Sequence, residues 1–101
     1  MSELDKLEAY LKDKGIDYER IDQNAELDEE GFVLVTDRHQ INVFSKSGHK
    51  IWDAICQRGS YGYSQGLLEV MGRPVIRRED GDRVRGYLTA QDVIDRLEGK
   101  A

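Results

Sequence analysis

The chain reads as a small single α+β domain, an antiparallel sheet of about four to six strands packed with three helices. Three observations lead there. Leucines recur at helical spacing near the start, apolar residues alternate through the middle, and short turn signals separate the alternating runs. The elements follow one another as helix, strands, helix, hairpin, helix, an order that favours antiparallel pairing. At 101 residues there is room for one modest core.

Ser2, with Asp5 three residues on, resembles a capping box in which an acid replaces Glu or Gln. Leu4, Leu7 and Leu11 then mark one helical face, with Tyr10 beside it. Gly15 ends this helix and Ile16 is placed for the apolar contact that follows a glycine cap. "IDYERI" predicts the first strand. Residues 22–31, "DQNAELDEEG", predict a polar, acidic loop and the most mobile part of the chain.

"FVLV", "HQINVF" and "KIWDAIC" predict three more strands, joined by hairpins at Asp37-Arg38 and at Ser47-Gly48. A two-residue second turn pairs Lys46 with His49, Val43 with Trp52, Ile41 with Ala54 and His39 with Cys56. A three-residue turn with Gly48 left-handed would shift that register by one. The first register is preferred because it gathers Phe32, Leu34, Ile41, Val43, Trp52, Ala54 and Cys56 on one face, with Trp52 against the first helix. The opposite face is mixed, with Gln40, Asn42 and Asp53 beside Phe44, Ile51 and Ile55.

A second helix is expected over 61–71, carrying Leu67, Leu68 and Met71 and stopping at Gly72, ahead of Pro74. "PVIRR" and "RVRGYL" flank "EDGD", which predicts a hairpin with Asp80-Gly81 at its tip and Arg78 opposite Arg83. Thr89 caps the last helix, whose buried stripe is Val93, Ile94 and Leu97, and Gly99 lies beyond its end.

Composition bounds the function. With 39% hydrophobic and 35% charged residues the chain is a globular domain rather than a disordered one. Its lone cysteine, Cys56, excludes an internal disulfide and any multi-cysteine zinc site. No apolar run approaches a membrane span, and "MSELDKLEAYLKDKG" lacks the pattern of a signal peptide, so a cytoplasmic location and no membrane partner are expected. Residues 1–30 hold 4 basic and 11 acidic side chains, a charge of −7, which leaves +2 for the remainder of a chain whose total is −5. An acidic leading third disfavours duplex nucleic acid, which is bound by a broad basic surface. It suits a solvated face, or a contact with a basic protein.

The stretch "QRGSYGYSQG" carries the main candidate site. At a helix start, free N–H groups and the helix dipole favour an anion. Gly59 and Gly62 would let backbone approach a phosphate, Arg58 and Ser60 would add polar contacts, and Tyr61 and Tyr63 would stack on a base. The competing explanation is a tight turn whose tyrosines pack on the sheet. A secondary candidate comprises Arg78, Arg83 and Arg85, whose like charges on one hairpin face call for acidic neighbours or an anionic partner.

Catalysis and metal binding find little support. His39 opposite Cys56 suggests a Cys–His pair, but Asp53 points to the other sheet face and cannot orient His39, and a cysteine on an apolar strand face is usually inert. The two histidines, His39 and His49, do not make a metal site. The chain is therefore expected to be a non-enzymatic protein that needs no cofactor.

Two resemblances add to this. "PVIRREDGDRVRGYLTAQDVIDRL" resembles the second half of a CBS domain through Gly86, Tyr87, Leu88, Thr89 and Asp92. That likeness implies that Thr89 and Asp92 contact a nucleotide, although helix capping also accounts for both. "DRHQINVF", "WDAICQRGSYGYSQGLLEVMG" and "VRGYLTAQDVIDRLEG" resemble a group of small uncharacterised proteins from bacteriophages and prophages, chiefly of gut bacteria. This implies a phage accessory protein acting by binding in the cytoplasm of a bacterial host. The expected partner is a small anionic, nucleotide-like ligand, such as a host-defence signalling nucleotide held away from its receptor. The alternative is a host protein, a nucleic-acid-binding or defence enzyme inhibited through the acidic first third. Self-association is left open.

Overall fold

A computed structural model describes residues 1–81 and 83–100. Helix α1 (Glu3–Asp13) is followed by strands β1 (Tyr18–Gln23), β2 (Glu26–Leu27), β3 (Val33–Val35), β4 (Arg38–Phe44), β5 (Lys50–Ile55), β6 (Leu68–Gly72) and β7 (Val84–Leu88), and then by helix α2 (Ala90–Leu97). Five strands form one antiparallel sheet in the order β1-β4-β5-β6-β7, and β2 and β3 form a separate two-stranded sheet. This is the α+β class and the antiparallel sheet expected, with two helices instead of three.

Both helices begin where cap chemistry places them. Ser2 Oγ accepts the Asp5 N–H and Asp5 accepts the Ser2 N–H, and Thr89 and Asp92 repeat the arrangement at α2. The helices cover one sheet face. Leu4, Leu7 and Leu11 of α1 and Ala90 and Val93 of α2 bury against Ile41, Val43, Trp52, Ala54, Leu68, Val70 and Leu88. Trp52 thus lies in the core that α1 covers. On the opposite face Gln40 and Asn42 are also buried, and they are satisfied by one another, by Glu19 and by Asp53.

The β4–β5 register pairs Val43 with Trp52 and Ile41 with Ala54, and the Cys56 N–H donates to the His39 carbonyl, all as expected. Lys46 and His49 do not pair. Ser45 N–H donates to the His49 carbonyl instead, across a three-residue turn with Gly48 at φ +88°. The extra residue is absorbed by a bulge that leaves Ile51 unpaired, so the longer turn and the preferred register coexist.

Four expectations fail. No helix spans 61–71: a short 3₁₀ turn at Tyr63–Gln65 leads into β6, in which Leu68 and Val70 point inward with strand periodicity. The 74–78 segment forms no strand, and β7 pairs with β6, so Arg78 sits in a 3₁₀ turn and does not oppose Arg83. "FVLV" contributes only β3, which pairs with β2, while β1 takes the place beside β4. Phe32 and Leu34 are accordingly exposed, and no hairpin at Asp37-Arg38 joins two strands of the main sheet. Residues 22–31 are no simple loop, because Asp22 and Gln23 complete β1, and Glu26 and Leu27 make β2.

The β2–β3 ribbon continues the β1–β4 hairpin outward. Gln23 pairs with Arg38 and Glu26 with Val35 in one register, and Gln23 Nε2 bridges the gap to the Thr36 carbonyl. The molecule measures 48 × 28 × 25 Å.

Candidate functional site

The ribbon is the most exposed apolar feature of the fold. Phe32 is 66% and Leu34 67% exposed, with Leu27 and Val33 also open to solvent, and none of the four belongs to the core cluster. The tip is nevertheless ordered by its own bonds. Asp28 Oδ1 accepts the N–H groups of Glu30 and Phe32, and the Asp28 N–H donates to the Phe32 carbonyl. Glu26, Glu29 and Glu30 of the same ribbon are exposed, and the described residues give them no ion-pair partner. Acidic and apolar groups thus share one projecting surface. "FVLV" holds the signal for it, since all four of its positions are apolar and strict alternation is lost.

The expected ligand stretch, Arg58, Gly59, Ser60, Tyr61, Gly62 and Tyr63, forms the connection from β5 to β6. Asp37 accepts the Arg58 N–H, and Ser60 Oγ accepts the Gln57 N–H and donates to the Gln57 carbonyl. Glu69 accepts the Tyr61 N–H, and the Tyr61 carbonyl accepts the Tyr87 N–H. With no α-helix here, the dipole expected to attract an anion is missing, and the glycines have a local explanation. Gly62 is left-handed at φ +97°, and a Cβ there would lie 3.1 Å from the Tyr87 Cα and 2.9 Å from the Leu67 Cβ. A Cβ on Gly86 would collide with Tyr61. These two positions let the turn lie directly on β7. Gly59 and Gly66 also have positive φ, so several turn positions need glycine.

Tyr61 and Tyr63 remain exposed, and neither is in the core. Tyr61 stacks on Tyr87, with ring centroids 6.5 Å apart at 28°. Beside this pair a hollow is lined by Asp80, Val84 and Arg85. The secondary candidates divide among three places. Arg85 lines that hollow, Arg78 and Arg83 line another near the end of α2, and Thr89 borders a cleft with Arg20, His39 and Cys56. Asp92 accepts the Thr89 N–H at 2.9 Å and donates its own N–H to Thr89 Oγ1 at 3.1 Å, while Glu3 accepts the Ala90 N–H at 2.7 Å. Protein carboxylates therefore already occupy the start of α2.

In that cleft, His39 Nδ1 lies 2.9 Å from Asp22 Oδ1, a pairing that sequence reading misses. The hydrogen bond to His39 lowers the Asp22 carboxyl pKa, with Arg20 adding to the effect. Arg20 Nη1 donates to Asp5 and Glu8. Its Nε is 2.8 Å from Asp22 Oδ2, but the N–H is not aimed at that oxygen, so the contact is an ion pair without a directed hydrogen bond. Asp53 bonds Gln40 and Lys50 on the other face. Cys56 is half-buried, and burial, with the negative charge of Asp37, pushes its thiol pKa up, which favours the unreactive protonated form. Among the described residues no cluster of His, Cys, Asp and Glu could hold a metal ion, and no helix is long and apolar enough to cross a membrane.

Comparison with protein-family models, curated proteins and solved structures gives no match for this chain.

Proposed function

We propose that the protein is a non-enzymatic, acidic interaction module that docks its β2–β3 ribbon onto a basic, partly apolar surface of another protein. The single observation that carries this is the exposure of Phe32 and Leu34 on an ordered ribbon outside the core. Exposing apolar side chains together invites aggregation unless a partner covers them. Glu26, Glu29 and Glu30 select the partner's charge, since two such tips would repel one another while lysines or arginines would attract them. A surface built to hold nucleic acid has that chemistry. In the setting that the phage resemblance implies, the partner is a host protein of that kind and the module blocks it.

The test uses Phe32→Ser with Leu34→Ser. Neither side chain supports the core, so the stability should change by no more than is usual for surface substitutions, about 0.5 kcal/mol. A partner captured from host cells by the wild-type protein and then purified should lose at least about 2 kcal/mol of affinity for the double variant, roughly thirtyfold. Its affinity for the wild type should fall as salt rises. A captured set identical for the two proteins, or a purified partner that binds both equally, refutes the proposal.

A further inference from the structure

Four arginines that the ribbon does not use gather beyond the far end of the sheet. Arg73, Arg77, Arg78 and Arg83 line a hollow of about 1080 Å³, between the segment after β6 and the end of α2, together with Ile76 and Arg96. Glu79 is the one carboxylate lining it among the described residues. Arg20, Arg96, Lys6, Lys50 and Lys100 all have carboxylate partners, whereas the described residues place none within ion-pair distance of Arg73, Arg77 or Arg78. In a chain of net charge −5, four arginines thus share one hollow with a single carboxylate among the described residues.

The segment that carries them is held from beneath. Val75 is fully buried, the Ile76 N–H donates to the Gly72 carbonyl, and the Arg77 N–H donates to Asp80. Arg96 closes the frame by donating to the Val75 carbonyl and, through two nitrogens, to the Asp80 carboxylate. The backbone beneath the guanidinium groups is therefore fixed before anything binds, which lowers the ordering cost of binding.

We propose that this hollow binds a di- or triphosphate group, either free or as the phosphate end of a nucleotide. Guanidinium forks match phosphate oxygens with paired hydrogen bonds, and several together call for a ligand with more than one negative charge. The hollow is also large enough for a nucleotide. Arg83 lines it, and the next residues, Val84 and Arg85, border the Tyr61–Tyr87 pair, whose exposed rings offer a face to a base.

Calorimetric titration of the purified protein with pyrophosphate, tripolyphosphate and ATP, at fixed ionic strength and with sulfate as control, tests this. Tripolyphosphate should bind at least about tenfold more tightly than sulfate, and Arg73→Gln or Arg78→Gln should each weaken it by about tenfold, while Arg58→Gln leaves it unchanged. Equal affinities for ATP and tripolyphosphate identify the phosphate chain as the whole determinant. A tighter ATP complex that Tyr61→Ala weakens adds a seated base, and both results support the site. Amide shifts in the wild-type protein give a readout independent of any variant, and tripolyphosphate should move those of residues 72–81 and Arg96. Equal binding of sulfate, arginine variants that bind like the wild type, no heat at millimolar ligand, or shifts confined to residues 57–63 would each overturn it.

Discussion

Asp80→Ala is the most informative single change in the fold, because one carboxylate both closes its own turn and ties that turn to α2. It accepts from Arg96 Nη1 at 2.9 Å and Nη2 at 3.1 Å, and from the Arg77 N–H at 2.7 Å. The pair is well covered, with the Asp80 side chain 8% and the Arg96 side chain 12% exposed. An exposed ion pair would contribute at most about 1 kcal/mol, whereas removing one member of a buried pair costs about 3 to 5 kcal/mol. Arg96 retains the Val75 carbonyl, which offsets part of that loss. The expected destabilisation is therefore about 2 to 4 kcal/mol, read as a lower urea midpoint with an unchanged slope. The pH dependence supplies a second, independent sign. Hydrogen bonding from Arg96 holds the Asp80 carboxyl at about 2, below its ordinary 3.8. A depressed carboxyl pKa stabilises the fold above the unfolded-state value, and that contribution is lost as pH falls from about 4 towards 2. The stability gap between wild type and Asp80→Ala should accordingly narrow over that window. A gap below about 0.5 kcal/mol at neutral pH, typical of surface changes, or one that stays constant down to pH 2, would refute the clamp.

Two further outcomes follow from the core. Trp52→Ala should cost about 3 to 5 kcal/mol in chemical denaturation, and an unmoved midpoint would exclude Trp52 from the packed face. Cys56 should react with a thiol reagent at neutral pH more slowly than a free thiol, since burial and Asp37 raise its pKa; faster labelling would bring the Cys56–His39 pair back as a candidate nucleophile.

The parts of the fold legible in the sequence are those fixed by neighbours in the chain. Ser2 with Asp5 and Thr89 with Asp92 mark helix starts because the capping partners lie three residues apart. Ile41, Val43, Trp52 and Ala54 show their register because a one-residue slip would turn one strand's pair away from the buried face. The missing helix has the opposite cause. In "GLLEVMG", Leu67, Leu68 and Met71 fit a helix while Leu68 and Val70 fit a strand, and seven residues are too few to separate the two periods. The decision is tertiary, since β6 fills the place between β5 and β7. "FVLV" fails similarly. Its apolar β-formers suit the place beside β4, but β1 occupies that place through pairings with residues some twenty positions away. Among the candidate residues, Arg78 and Arg83 are brought together by the fold as hollow-lining groups and not as cross-strand neighbours.

The uneven charge visible along the sequence acquires a direction in space. In an antiparallel sheet ordered β1-β4-β5-β6-β7, the end at which β1 stops is the end at which β6 starts. The ribbon leaves from that end, whereas Arg73 follows the last residue of β6 and Arg83 precedes the first residue of β7, at the opposite end. Acidic groups around exposed apolar side chains therefore face one way and the arginine hollow the other. With the length of the sheet between them, the two surfaces are separated by more than the Debye length of about 8 Å at physiological salt. The negative tip does not neutralise the arginines across that distance, and a bound anion does not repel the tip. This separation lets one small core carry surfaces of opposite sign, because charges this far apart neither cancel nor have to be satisfied by one another.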